Sequence, residues 1–171
     1  MIKYYSILIF LLVLSCKNDD VAQKTSDISK KQEAFLTKET ISALKFNDYL
    51  LDAKASVLAS EWKSYQTIAS EIEQIKNLNF DFFNKEKDVF DTTFKEFQTN
   101  IPESLNTQPI KARALVLETH MYRLKDELGF KKKLFKSDLK YVKEVLVAFS
   151  NLNLQINKKL EKEAQIIIRP Y

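Results

Sequence analysis

The stretch LKFNDYLLDAKASVLASEWKSYQTIASEI, residues 44–72, decides how the chain is expected to fold. Leu44, Leu51, Leu58, Tyr65 and Ile72 recur every seven residues, and Ala55, Trp62 and Ala69 form the complementary seam. That spacing gathers apolar groups on one side of a helix. Neither Pro nor Gly interrupts it. The expectation is a long first helix of roughly 38 residues, near 57 Å at 1.5 Å per residue. Its early half is the less apolar, with Asp48 on the seam, so a bend is expected near Ser60 if the helix bends at all.

Downstream, the same period returns three times. Phe83, Phe90, Phe94, Phe97 and Ile101 mark the buried face of a second helix from about Asp81 to Thr99, closed by Pro102, which cannot continue the hydrogen-bond ladder. Thr107 is placed to cap a third helix, with Pro109 in its first turn, where a missing N–H costs nothing. Ile110, Ala114, Leu117, Met121, Leu124 and Leu128 then alternate four and three along one face. Gly129 is expected to stop this helix in a left-handed conformation. The lysine-rich residues 131–136 form a connector. A fourth helix starts at Ser137-Asp138 and carries Leu139, Val142, Leu146, Phe149, Asn153, Ile156 and Leu160 on its seam, ending before Pro170. Asn153, polar on that seam, is expected to fix register. The fold class is therefore all-α: an up-down antiparallel four-helix bundle with a long first helix. A single Gly and three Pro among 171 residues argue the same way, since those residues punctuate sheets and loops.

The first residues read differently. Lys3 gives a short positive start, and Tyr4 to Leu14 is apolar except for Ser6. That run is much shorter than the roughly 20 residues of a spanning helix and reads as a cleaved signal peptide. Val13-Leu14-Ser15-Cys16 resembles a lipobox, with the small Ser15 just before the only cysteine of the chain. Lipidation of Cys16 follows as the expectation. A diacylglycerol thioether plus an N-acyl group supplies enough chains for stable anchoring, where a single chain would not. Lys17-Asn18-Asp19-Asp20 resembles the surface-export signals of Bacteroidetes lipoproteins, a polar run with paired acids after the lipidated Cys. Residues 17 to 38 hold few large apolar groups and read as a disordered tether. The domains are thus 1–15 signal peptide, 16–38 lipidated tether and 39–171 helical bundle.

Chemistry is sparse. His120 is the sole histidine and has no partner at helical metal-ligand spacing, so it reads as a boundary residue and no metal is expected. No phosphate loop or nucleophile turn is available to a chain with one Gly. The acids Glu71 and Glu73 sit on a solvated face rather than in surroundings that would raise a pKa. Net charge is +4, yet only Arg113, Arg123 and Arg169 are arginines, which argues against nucleic acid, because bidentate recognition favours Arg. No cofactor is expected, and no enzymatic activity.

The segment Trp62 to Leu128 resembles a group of small, uncharacterised flavobacterial lipoproteins. Glu61-Trp62-Lys63-Ser64-Tyr65, the Phe82-Phe83 region, Asn100-Ile101-Pro102-Glu103-Ser104-Leu105, Ala112-Arg113 and Val116-Leu117-Glu118-Thr119 carry the likeness, which extends to Asn153-Leu154-Gln155-Ile156-Asn157. The resemblance implies an origin in the Bacteroidetes and no activity, cofactor or catalytic residue.

The expected function is that of an outward-facing, lipid-anchored module of the outer membrane, acting as an interaction or structural protein. Leu44, Leu51, Leu58 and Trp62 form its candidate interaction surface, because a first helix longer than its neighbours would leave leucines for another envelope protein or a second copy to cover. The alternative is a module that binds an apolar ligand or lipid among its phenylalanines.

Overall fold

The computed structural model describes residues 34–131 and 134–165. Residues Met1–Glu33 and Ala34–Tyr171 form separate units, and every described residue belongs to the second. Cys16, Lys17, Asn18, Asp19 and Asp20 lie outside the described residues.

The described chain is all-α, with six α-helices: α1 (Lys38–Ser42), α2 (Ala53–Ser60), α3 (Lys63–Lys76), α4 (Lys87–Thr99), α5 (Gln108–Phe130) and α6 (Leu139–Ala164). Short 3-10 turns stand at Asp81–Asn84, Glu103–Leu105 and Lys136–Asp138. The four longer helices pack in sequence, α3 on α4, α4 on α5 and α5 on α6, and α3 also meets α6. Phe90, Phe94 and Phe97 of α4, Leu117, Met121 and Leu124 of α5 and Val142, Leu152 and Ile156 of α6 are fully buried between them. Among the described residues no helix is long and apolar enough to cross a membrane.

The long first helix is not there. The heptad stripe is cut into α1, an irregular run from 43 to 52, α2 and α3. Local sequence encodes two separate starts. Thr37 and Thr40 cap α1 reciprocally, each side-chain oxygen accepting the other's backbone N–H at 3.3 and 2.9 Å. Asp52 caps α2 by accepting the Ala55 N–H at 2.8 Å. Asn47 and Asp48 between them are residues whose side chains compete with helical backbone.

Tertiary contacts complete the break. Residues 47 to 52 lie along α6, whose Ser150, Asn153 and Asn157 occupy one face at three- and four-residue spacing. The Ser150 hydroxyl donates to the Asn47 carbonyl and accepts the Tyr49 N–H at 2.8 Å. Asn153 Nδ2 donates to the Tyr49 carbonyl at 3.0 Å. Asn157 Nδ2 donates to the Leu50 carbonyl at 2.8 Å, and its Oδ1 accepts the Asp52 N–H at 3.1 Å. Backbone groups without helical partners thus find side-chain ones. Asn153 is satisfied on both sides, since its Oδ1 also accepts the Tyr65 hydroxyl at 2.7 Å. The polar seam residue holds a neighbouring segment in place as well as lying in the core.

The second break falls at residues 61 and 62, beside the expected bend. Trp62 adopts φ −91°, ψ 83° and turns fully inward. Its ring stacks on Phe97 at 4.6 Å and its Nε1–H donates to the Phe97 carbonyl at 3.1 Å. The indole is thereby buried without an orphaned donor.

Gly129 corrects a second expectation. It lies inside α5, which runs on to Phe130, and no described glycine has positive φ. The left-handed residue is Leu78, with φ 62°, just past α3. There the Asn79 N–H bonds the Gln74 carbonyl at 2.9 Å and the Leu78 N–H bonds Ile75 at 3.0 Å, a Schellman closure made by leucine in the glycine position. The second helix also starts later than expected, at Lys87, after the 3-10 turn. Thr107 does precede α5 and Pro109 sits in its first turn, although the Thr107 side chain makes no capping bond.

Two stability measurements check these points. A Cβ at Gly129 meets nothing within 4 Å, so Gly129→Ala should stabilise the fold by about 0.5–1 kcal/mol in urea denaturation. A left-handed Gly129 would make the same change destabilising. Asn153→Ala should cost about 2–4 kcal/mol, because it strands the Tyr65 hydroxyl and the Tyr49 carbonyl. Adding Tyr65→Phe should cost less in that background than in the wild type, and strict additivity would contradict the shared bond.

Candidate functional site

The described residues begin at one end of the domain, and a wide groove lies there. The Leu36 N–H bonds the Leu134 carbonyl at 3.0 Å and the Lys136 N–H bonds the Ala34 carbonyl at 2.8 Å, forming an antiparallel bridge between Phe35 and Phe135. The two rings stack at 5.2 Å. Ala34, Phe35 and Leu36, ahead of residue 39, are thus bonded to the domain. Asp138 secures the other strand of the bridge: its Oδ2 accepts the Phe135 N–H at 2.9 Å and its Oδ1 accepts Lys131 Nζ at 2.7 Å. Burial opposes the Asp138 charge, yet the Lys131 ammonium and the Phe135 N–H outweigh it and hold the carboxyl below the usual aspartate range.

Beside this bridge lies a groove of about 790 Å³, its apolar wall made of Phe35, Leu36, Leu78, Phe80, Leu128 and Leu134. Asp81, Asn84 and Lys131 supply its polar rim. Strained Leu78 is thus a groove residue, which connects its backbone conformation to this surface. A hollow of about 330 Å³ continues past Leu128 and Gly129 to Phe130 and Lys125. Phe130, the last residue of α5, is 86% exposed. Lys125 lies with Nζ 3.9 Å from the centre of the Phe90 ring, and burial lowers its pKa.

The residues proposed as an interaction surface fall elsewhere. Trp62 is a buried core residue, and Leu44, Leu51 and Leu58 are partly buried and packed against the core. The overhanging leucines disappear with the long helix that would have carried them. Their neighbours Leu50 and Val57 are the exposed apolar groups of this stretch, at 73% and 67%. Leu51 and Leu58 face the core, as their seam positions predict, and the off-seam Leu50 and Val57 face water.

His120 sits between α5 and α6, its Nδ1 3.3 Å from Glu144 Oε2, and Arg123 Nη1 reaches the same oxygen at 3.0 Å. A shallow depression of about 360 Å³ borders it, floored by Val116, Val147 and Ala148. Among the described residues no group of three or more His, Cys, Asp and Glu side chains stands together as a metal site. The phenylalanine cluster is filled by its own rings: Phe90 lies 5.0 Å from both Phe82 and Phe94, and Phe94 lies 6.1 Å from Phe97. Tyr122 closes it from α5, its hydroxyl bonded to Asp91 at 2.7 Å and its pKa pushed up to about 12 by burial and that carboxylate.

No family model, curated protein or solved structure matches the chain. What persists from the likeness to flavobacterial lipoproteins is the helical character alone.

The Asp138 clasp has a pH signature. Its folded pKa is depressed, so its stabilisation is complete above the unfolded value of about 3.9 and is lost as pH falls through the folded value. Asp138→Asn should cost about 1–2 kcal/mol near neutral pH and progressively less in acid, as followed by thermal unfolding. A difference that stays constant down to strong acid would remove the charge from the explanation.

Proposed function

We propose that the chain is an outward-facing lipoprotein of the outer membrane, anchored through acylated Cys16, that serves the cell envelope as a non-enzymatic interaction or structural module. The observation that carries this reading is the lone Cys16 at the border between the apolar run Tyr4 to Leu14 and the polar Lys17-Asn18-Asp19-Asp20. The acid pair in that run supports outward sorting. The four longer helices are read as a distorted up-down bundle that presents its surface at a distance set by the tether. The partner in this reading is another envelope protein or a second copy, and it engages Leu50 of the α6-bound stretch and Val57 of α2, at 73% and 67% the most exposed apolar groups there.

A second reading, a module holding an apolar ligand or lipid, is favoured by the groove at the Phe35 end. It draws nothing from the phenylalanine cluster, whose rings occupy their own interior.

Cells fed labelled fatty acid supply the test. The wild-type chain should take up label, and Cys16→Ala should take up none and retain its leader. A mature, unlabelled wild-type protein would sink the anchor. In the same cells, replacing residues 17–20 with Ala should protect the protein from added protease. A photo-crosslinker at Leu50 should trap one discrete species, whereas capture of nothing beyond α6 of the same chain would leave the ligand reading ahead.

A further inference from the structure

We propose that the aromatic end of the domain, Phe130 and Phe35 with the groove beside Phe35, rests on the phospholipid surface of the membrane that anchors the chain. The inference builds on the anchored-lipoprotein reading and names what that end of the domain touches.

Three observations converge on this surface. Phe130 is 86% exposed and Phe35 is 55% exposed, and the groove beside Phe35 has an apolar wall of Leu36, Leu78, Phe80 and Leu128 under a polar rim of Asp81, Asn84 and Lys131. Phe130 has no polar atom to justify standing in water, and an exposed aromatic of this kind settles at the boundary between headgroups and acyl chains. Next, Ala34 joins the folded domain at this end, tied down by its bond to Lys136. Residues 17–33 are all that separate it from Cys16. Seventeen residues reach at most about 60 Å when fully extended. An anchor so short presents this end of the domain to the bilayer at high effective concentration, so weak apolar contact suffices. The opposite end is much farther away, since α5 alone separates the two by roughly 34 Å at its helical rise.

The charges at this end sharpen the proposal. Lys131 is held by Asp138 at 2.7 Å and by Glu127 at 3.4 Å, and Lys85 lies 3.7 Å from Glu71. These cations are compensated within the fold. Lys136, exposed beside them and without an ion pair among the described residues, is the cation this end offers to anionic headgroups.

The test uses residues 16–171 coupled through Cys16, the sole cysteine, to a maleimide phospholipid in vesicles of phosphatidylethanolamine and phosphatidylglycerol. Coupling places the anchor at the right residue whether or not cells acylate it, so failure here and failure of fatty-acid labelling are separate results. An environment-sensitive fluorescent amino acid replaces either Lys136, at the aromatic end, or Ser104, just before α5. Helical circular dichroism verifies each variant's fold. Position 136 should shift to the blue and be quenched at least about threefold more than position 104 by lipids spin-labelled near the headgroup. Phe130→Ser with Phe35→Ser should abolish that difference. Equal quenching at the two positions would overturn the proposal, as would quenching that survives both serines. A blue shift produced by monomeric lysophospholipid without vesicles would assign the groove to a single amphiphile instead. The same shift in unanchored chain that sediments as a dimer would assign it to a second copy.

Discussion

The structure depends on one polar ladder. Ser150, Asn153 and Asn157 stand on the face of α6 that meets residues 47 to 52, and between them they bond the backbone of Asn47, Tyr49, Leu50 and Asp52. An irregular segment cannot lie against a helix unless its N–H and C=O groups are satisfied, because a buried orphan costs about as much as the burial returns. Side chains spaced three and four along α6 meet that need, and Lys76 adds a bridge from α3 to Asp48 at 2.9 Å. With the segment held, α2 and α3 are free to start afresh and change direction, and Trp62 can be driven into the core.

That arrangement makes the molecule asymmetric in chemistry. At the α2–α3 junction, Trp62 is pinned to Phe97 and every large aromatic is covered. At the end where Ala34 enters, a two-residue bridge and the Asp138 clasp leave Phe35 and Phe130 showing and a groove between elements. Leu78 bears an unfavourable left-handed conformation there, of the order of 1–2 kcal/mol, and partly buries its side chain in return. A wall of apolar side chains beside Ala34 is the part of this fold that most resembles a working surface. Arg123 and Glu144, by contrast, form an ion pair between two helices with His120 beside it.

Much of this was legible in the residues. The α5 and α6 seams are buried as their spacing predicts, from Ile110 to Leu124 and from Val142 to Leu160. Pro102 closes its segment, Thr107 precedes α5, and α3 begins beside the expected bend. The errors share a cause. Seven-residue recurrence in Leu44, Leu51 and Leu58 arose from three side chains that pack inward from different backbone conformations, so the period was real and the helix was not. Gly129 looked like a stop because glycine usually is one there, while α5 continued through it.

The sequence by itself determined the all-α class and the core faces of the last two helices, because each of these is written in local spacing and composition. Only the tertiary structure decided where the first helix breaks, what holds the irregular run from 43 to 52, and that the entry point at Ala34 shares an end with Phe130 and the groove. The physical reason is range. Capping, periodicity and proline act within a few residues, whereas Tyr49 to Ser150, Tyr65 to Asn153 and Ala34 to Lys136 are bonds between groups about a hundred positions apart in the chain, and nothing local to either partner announces the other.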